Sequence, residues 1–153
     1  MNNFIIGMTG AFGSGCSFLA DNFLVEKMNF RKFSLSDILR AKFIHDHGDE
    51  KCADRHTLQE YGNEIRKSNG AEYLAVETLK KMTDDAGGNE NICYVVDSIR
   101  NPAEIKYFRN HCSRFFLFAI FADEDIRWKR VAKIYNDKQD AFHEDEWKDR
   151  GTD

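Results

Sequence analysis

The chain has 153 residues, a formal net charge of −4 and 13 phenylalanines, and its length suits one domain with a hydrophobic core. No stretch is apolar over the length of a membrane span, and the N-terminus lacks the charged start and long apolar segment of a signal peptide. The four cysteines are far apart and form no C-x-x-C pair, so together these features predict a cytoplasmic protein with reduced thiols that spans no membrane. The acidic balance argues against general nucleic-acid binding.

The first predicted elements are a short strand, a glycine-rich loop and a helix. Residues 4–6, Phe-Ile-Ile, form an apolar run typical of a buried strand. Residues 10–17 then read Gly-Ala-Phe-Gly-Ser-Gly-Cys-Ser and match the phosphate-binding pattern G-x-x-x-x-G-K-[ST] except at Cys16, which replaces the lysine. Apolar residues at helical spacing follow, namely Phe18, Leu19, Phe23 and Leu24. This order favours a phosphate-binding loop over an ordinary glycine-rich turn.

The residue types of this loop suit phosphate binding. Glycines permit a tight turn whose backbone N–H groups face an anion, and the N-terminus of the following helix also favours negative charge. The Ser17 hydroxyl is placed to coordinate Mg²⁺. Cys16 cannot supply the ammonium that reaches the β- and γ-phosphates, and we interpret it as a neutral thiol. We therefore predict that ATP or another nucleoside triphosphate, with Mg²⁺, binds at Gly10, Ala11, Phe12, Gly13, Ser14, Gly15, Cys16 and Ser17.

The next predicted elements are a second strand and three helices. Residues 30–35 form the strand, and Ser36-Asp37 is a candidate N-cap for a helix from about Ile38 to His45. A polar loop at 45–52 precedes a helix that begins near Asp54 or Thr57, and another helix spans 71–82. In the polar loop, His45 and His47 lack a matching cluster elsewhere, which favours surface histidines over a metal site.

The remaining elements include two apolar strands. Residues 92–97 form a buried strand that ends in Asp97, and a short helix at 104–110 follows Asn101-Pro102. Residues 115–122 form the most apolar strand, predicted to be central and part of the core, before a helix at 126–135. We expect residues 1–135 to form a domain. Residues 136–153 then form a polar acidic tail or the start of a linker, with Phe142 and Trp147 as candidate anchors.

Strands that alternate with helices predict an α/β fold with a mostly parallel sheet between helical layers. Ligands of such sheets bind at the carboxyl ends of the strands. The glycine-rich loop, Asp37 and Asp97 all follow strands and therefore fall on that edge. Asp97 is a candidate Mg²⁺ ligand or a group that orients a nucleophile, or else a loop carboxylate. Asp37 is a candidate site residue, although a helix cap explains it fully.

The candidate cations of the site are arginines. Arg100 is placed either to bind a substrate phosphate or to brace Asp97. Arg127 and Arg130 share one helix face, where they either replace the charge of the missing lysine or lie in solvent. Arg55 and Arg66 are weaker candidates, because a surface position or an ion pair explains each of them.

With these residues in place, the chain resembles the P-loop nucleoside and nucleotide monophosphate kinases, dephospho-coenzyme A kinase in particular. The likeness includes residues 6–15, Ser36-Asp37, residues 96–100 and the two arginines at 127 and 130. It implies that Asp37 faces the phosphate-accepting substrate and that Arg127 and Arg130 belong to a lid over the phosphates. It also implies that residues 55–66, with Arg55 and Arg66, form substrate-side helices.

The chain is also similar to the kinase-like module that precedes a zinc-dependent deoxycytidylate deaminase in some two-domain proteins. The run at 58–66 and Asp97-Ser-Ile-Arg100 carry this likeness. The deaminase signature, H-x-E followed by P-C-x-x-C, is absent from the sequence. The resemblance implies a C-terminal deaminase domain as partner.

The sequence leaves three functions open. In the first, the chain transfers phosphate from ATP to a nucleoside monophosphate or a similar acceptor. In the second it binds a nucleotide in a regulatory role, and in the third it is a scaffold with a vestigial loop. The kinase resemblance implies five parallel strands and the sequence offers four. We therefore expect either that the fifth strand lies outside this sequence or that the sheet keeps an open edge, which favours a homo-oligomer.

Overall fold

The fold is built on a four-stranded sheet. The computed structural model describes residues 1–48 and 55–150, the side chains of 147–150 excepted. Every strand pairing is parallel and the strand order is β2-β3-β1-β4. The strands are β1 (Phe4–Thr9), β2 (Arg31–Ser34), β3 (Cys93–Asp97) and β4 (Arg114–Ala119). With helices on both faces, this arrangement confirms the predicted α/β layered fold.

Seven α-helices lie within the described ranges. They are α1 (Cys16–Leu19), α2 (Leu35–His47), α3 (Arg55–Asn69), α4 (Tyr73–Ala86), α5 (Pro102–His111), α6 (Glu124–Val131) and α7 (Gln139–Arg150). A π-helical segment, Ala20–Val25, continues α1, and a 3₁₀ turn, Ala132–Tyr135, follows α6. Among the described helices, none has both the length and the apolar character that a bilayer crossing requires.

The two faces of the sheet carry separate apolar clusters. Ile5, Tyr94 and Val96 face the larger cluster, which is built with side chains of α2, α3, α4 and α5. Ile6 and Val95 face the opposite side, where α1 and the π-helical segment cover them. Alternate residues of β1 and β3 thus enter different clusters, as the period of two in a strand requires.

β4 lies at one edge of the sheet, so its predicted central position is wrong. Phe115 and Leu117 pack against the larger cluster. Phe116 and Phe118 point to the other face, where they are 51% and 45% exposed. An apolar run of this kind is typical of strands buried on both faces, but here only one face is covered.

The start of α2 differs from the prediction. Ser34 is the N-cap residue and α2 begins at Leu35, so Ser36 and Asp37 lie in its first turn. The predicted cap at Ser36-Asp37 is therefore wrong. The buried side chains of Leu35, Ile38 and Leu39 explain the earlier start, because they place the first turn against the sheet.

The C-terminal segment contains a helix that packs on the domain. Phe142 of α7 is fully buried. Its ring lies 5.6 Å from that of Trp128 and 5.7 Å from that of Tyr135, measured between centroids. Phe142 is thus an anchor, as predicted, whereas the side chain of Trp147 lies outside the described residues.

Candidate functional site

The glycine-rich loop connects β1 to α1 and turns through two left-handed residues. Gly13 has a φ of +81° and Gly15 a φ of +107°, values that favour glycine. A glycine is needed at position 10 because the backbone there lies close to that of Ile120, and a Cβ would lie 2.5 Å from the Ile120 carbonyl oxygen. These constraints explain the two fixed glycines of the pattern, Gly10 and Gly15, and the additional glycine at position 13.

Several backbone donors of the loop are available to a ligand. The Ser14 amide donates to the Ala11 carbonyl over 3.0 Å. The amides of Gly13, Gly15 and Cys16 have no acceptor in the part of the chain that the structure describes. Backbone N–H groups without partners at the start of a helix are suited to bind an anion.

Ser17 and Asp97 meet at the end of this loop. The Ser17 hydroxyl donates to Asp97 Oδ2 over 2.6 Å. Asp97 is buried at the end of β3, and its Oδ1 accepts a hydrogen bond of 2.7 Å from the Ser98 amide. Hydroxyl and carboxylate oxygens are ligands that Mg²⁺ prefers. The donor set of the predicted metal residues therefore fits this ion.

The Cys16 thiol lies at the first turn of α1. Its Sγ is 3.5 Å from the Ser14 hydroxyl. Burial raises the pKa of the Cys16 thiol above its ordinary value, and the hydrogen bond with Ser14 opposes that shift. A thiol with a raised pKa is protonated at neutral pH, which agrees with its interpretation as an uncharged group.

Arg127 and Arg130 both contact the loop, but in different ways. Arg130 donates from Nη1 to the carbonyl oxygens of Gly13 and Ser14, both over 3.0 Å. Arg127 is buried, and its Nη1 donates over 2.6 Å to Glu146 Oε1 of α7. Arg127 is thus held in an internal ion pair, whereas the exposed Arg130 lies against the loop.

Arg55 also approaches the loop through a side-chain contact. Its guanidinium stacks 4.1 Å from the ring centroid of Phe12. Its Nε donates to Tyr135 Oη and to Asp145 Oδ2, each over 3.1 Å. Through these contacts Arg55 connects the loop to α7, which gives its side chain a structural role in packing.

The other predicted substrate residues are Arg66, Asp37 and Arg100, and they differ in their relation to this group. Arg66 donates from Nη2 to the buried Glu104 over 2.8 Å, which is a structural contact. Asp37 is exposed, and its side chain has no hydrogen bond to any described residue. Arg100 is exposed three residues after the end of β3, and its positive charge opposes the rise in the pKa of the Cys16 thiol. The Lys32 ammonium lies 3.7 Å from Asp97 Oδ2.

Sequence reasoning missed Lys32, whose Nζ lies 2.8 Å from Asp21 Oδ1 and 3.7 Å from Asp97 Oδ2. The sequence contained a signal for this position, because the period of two in a strand puts Lys32 on the same face as Ser34, which pairs with Asp97 in the sheet.

A cluster of serine hydroxyls was missed as well. Ser34 Oγ lies 2.8 Å from that of Ser36 and 3.4 Å from that of Ser98.

Within the described ranges, no group of three or more His, Cys, Asp or Glu side chains is arranged to hold a metal ion. His47 stacks on Phe43 with 4.4 Å between ring centroids. His45 contacts Asp46. Both histidines are exposed on α2, which extends to His47, so the predicted polar loop does not begin at residue 45.

Comparison with curated proteins finds similar chains. The chain is 35% identical over 128 residues to a UPF0200 protein of Methanothrix thermoacetophila, a match that covers 84% of this chain and 64% of the relative. It is 25% identical over 133 residues to a UPF0200 protein of Methanothermobacter thermautotrophicus, covering 87% of this chain and 63% of the relative. The chain thus spans less than two thirds of the length of these relatives. No protein-family model matches it.

Solved structures share the fold. An uncharacterized protein from Eubacterium ventriosum has a TM-score of 0.57 and 17% identity, with 96% of this chain and 73% of that chain covered. TT1252 from Thermus thermophilus has a TM-score of 0.55 and 18% identity, with 92% and 81% covered. These likenesses support the layered α/β architecture. None of the four names refers to a kinase or a deaminase, and the comparisons give the deaminase link no support.

Proposed function

We propose that the loop at residues 10–17 binds the phosphates of a nucleoside di- or triphosphate. The observation that carries this proposal is the 2.6 Å hydrogen bond between Ser17 and the buried Asp97. It joins the last position of the phosphate-binding pattern to a carboxylate at the end of a neighbouring strand, as a phosphate and metal site requires. Ser17 and Asp97 would hold Mg²⁺, which neutralises phosphate charge when bound.

The chain's own groups would divide the work of binding. The amides of Gly13, Gly15 and Cys16 would donate to phosphate oxygens, because backbone donors in such a loop surround an anion. Arg130 would turn its guanidinium from the carbonyls of the loop to the phosphates, where bidentate donation is favourable. Backbone donors do not depend on the missing lysine, so phosphate binding tolerates Cys16 better than catalysis does.

Calorimetric titration with ATP, ADP, dCTP and dTTP tests this proposal. We expect at least one of these nucleotides to bind, and Gly15→Ala to weaken its binding, because alanine strains the left-handed backbone and moves the amides. Gly88→Ala is the matched control. Its φ of +85° gives a similar strain, and a Cβ there meets nothing within 4 Å. Failure of all four nucleotides to bind would contradict the proposal.

Phosphoryl transfer is the second candidate, and the position of Arg130 against the loop favours it. A cation placed there would stabilise charge that develops during transfer, in part replacing the lysine. The acceptor would be a nucleoside monophosphate or a similar small molecule, as the resemblance to the kinases implies. Without turnover, the same site would act as a nucleotide sensor for a partner domain, which is the role implied by the deaminase-associated modules.

An assay of ADP formation with a panel of acceptors separates these two candidates. If transfer occurs, we expect Arg130→Met to lower the rate by about 10²-fold or more, the usual effect of losing one group that stabilises charge. Arg109→Met, at an exposed position on α5, should leave the rate unchanged. Nucleotide binding without ADP formation for any acceptor would favour the sensor.

A further inference from the structure

Lys32 brings an ammonium group to the carboxylate of Asp97. It lies between two carboxylates, with Nζ 2.8 Å from Asp21 Oδ1 and 3.7 Å from Asp97 Oδ2. The side chain of Asp97 is 4% exposed, that of Lys32 24% and that of Asp21 54%. The ammonium therefore has a buried partner on one side and an exposed partner on the other.

These two pairings differ in how easily they are broken. The pair with Asp21 has an exposed carboxylate, and such pairs contribute little to stability because water and salt screen them. The attraction to Asp97 is screened less, because that carboxylate is buried. The ammonium can thus leave Asp21 at small cost and stay beside Asp97.

Lys32 lies on the side of the site where a metal ion would bind. Asp97 Oδ2, the oxygen near Lys32, also accepts the hydrogen bond from Ser17. A divalent ion bound by Ser17 and Asp97 would share this oxygen with the ammonium and be repelled by it. The chain itself therefore places one positive charge where a metal would otherwise supply the charge.

We propose that the Lys32 ammonium neutralises part of the negative charge of the ligand's phosphates, from the side of the site where Ser17 and Asp97 would hold a metal ion. Nucleoside polyphosphates would then bind here with little dependence on divalent cations. This inference rests on the proposed function of the loop. Without a ligand, Asp21 holds the ammonium. When phosphates bind, the ammonium moves from Asp21 towards them and remains near Asp97.

Titration of ATP in EDTA and in Mg²⁺ tests the inference. We expect similar affinities of the wild type in the two buffers. Lys32→Met should weaken binding in EDTA by about tenfold or more, equivalent to at least about 1.4 kcal/mol, and by less in Mg²⁺. Lys32→Arg should retain the wild-type behaviour, and Asp21→Asn should tighten binding in EDTA. Lys27→Met, an exposed lysine that stacks on Phe23, is the control.

A second measurement needs no nucleotide. Electron paramagnetic resonance with Mn²⁺ reports the metal affinity of the Ser17 and Asp97 oxygens, and we expect Lys32→Met to bind Mn²⁺ more tightly than the wild type. Circular dichroism checks that each variant is folded, and Lys32→Gln is used if the methionine variant is not.

The outcomes distinguish the two proposals. Binding of ATP that requires Mg²⁺ in both the wild type and Lys32→Met would overturn the inference and leave the proposed function intact. Equal Mn²⁺ affinity of the two proteins would also overturn it. If ATP binds in neither buffer, the proposed function is contradicted and the inference falls with it.

Discussion

Cys16 is the residue at which this chain departs from the phosphate-binding pattern. Its thiol is uncharged at neutral pH, because burial raises its pKa. It therefore neither attracts phosphates as an ammonium does nor repels them as a thiolate would. The positive charges near the loop include Arg130, against its carbonyls, and Lys32, beside Asp97.

Alkylation by iodoacetamide tests the state of the Cys16 thiol. Only the thiolate reacts, so a raised pKa predicts slow modification at neutral pH and a rate that rises at pH values above the ordinary thiol range. Peptide mass spectrometry measures the rate at each cysteine. Cys112 is the internal comparison, because burial raises its pKa to about 11. Rapid modification of Cys16 at pH 7 would contradict the neutral thiol, and protection by ATP would support binding at the loop.

The same shift at Cys112 has a consequence for stability. A thiol whose folded-state pKa is raised stabilises the fold while it is protonated, and this contribution is lost as the thiol ionises. We therefore expect the free energy of unfolding to fall between about pH 8.5, the ordinary pKa of cysteine, and the folded-state pKa of about 11. Urea unfolding of the wild type and Cys112→Ala across this range measures the effect. An equal pH dependence in both proteins would contradict the assignment.

At the scale of elements, α7 controls the surroundings of the loop. Its carboxylates pair with two predicted site arginines, Glu146 with Arg127 and Asp145 with Arg55. Arg55 in turn stacks on Phe12 of the loop. A segment predicted from composition to be a polar tail thus supplies counterions to the site, because its acidic residues meet arginines that are distant in sequence.

Phe142→Ala tests the packing of α7. The ring is fully buried, and truncation of a buried phenylalanine leaves a cavity that costs about 3–5 kcal/mol. Urea unfolding measures the loss, and hydrogen exchange shows whether α7 detaches first. Glu144→Ala, at an exposed position of the same helix, should change stability little. Equal stability of the two variants would mean that α7 packs elsewhere.

For the molecule as a whole, the exposed edge of the sheet at β4 bears most on whether the chain associates with another chain. One side of β4 pairs with β1, and no described strand pairs with its other side. The face of β4 that carries Phe116 and Phe118 is half exposed. Unpaired backbone groups and exposed apolar side chains on an edge strand promote association with another chain.

We expect the wild-type chain to associate with itself as concentration rises, and Phe118→Lys to shift it to the monomer by placing a charge on this face. Analytical ultracentrifugation measures the mass distribution. Ile134→Lys replaces an exposed apolar side chain of the 3₁₀ turn and should have no such effect. Identical distributions for wild type and Phe118→Lys would contradict a role of this edge.

Much of the local structure is predictable from the sequence. The loop follows from the spacing of Gly10, Gly13 and Gly15, and the strand before Asp97 follows from its apolar run. The cap of α5 follows from Asn101-Pro102, since Asn101 accepts from the Ala103 amide over 2.8 Å. These features depend on residues close in sequence, whose backbone preferences act without the rest of the chain.

The sequence alone thus determined the alternation of strands and helices, the glycine-rich loop with a sulfur where the phosphate-binding pattern has an ammonium, and the carboxylate at the end of β3. Only the tertiary structure decided that β4 is an edge strand, that Arg127 is buried in an ion pair and that Lys32 lies beside Asp97. Strand order and the partner of a charged side chain depend on which distant segments meet. Burial of apolar surface over the whole chain determines which segments pack together, and no local pattern encodes that arrangement.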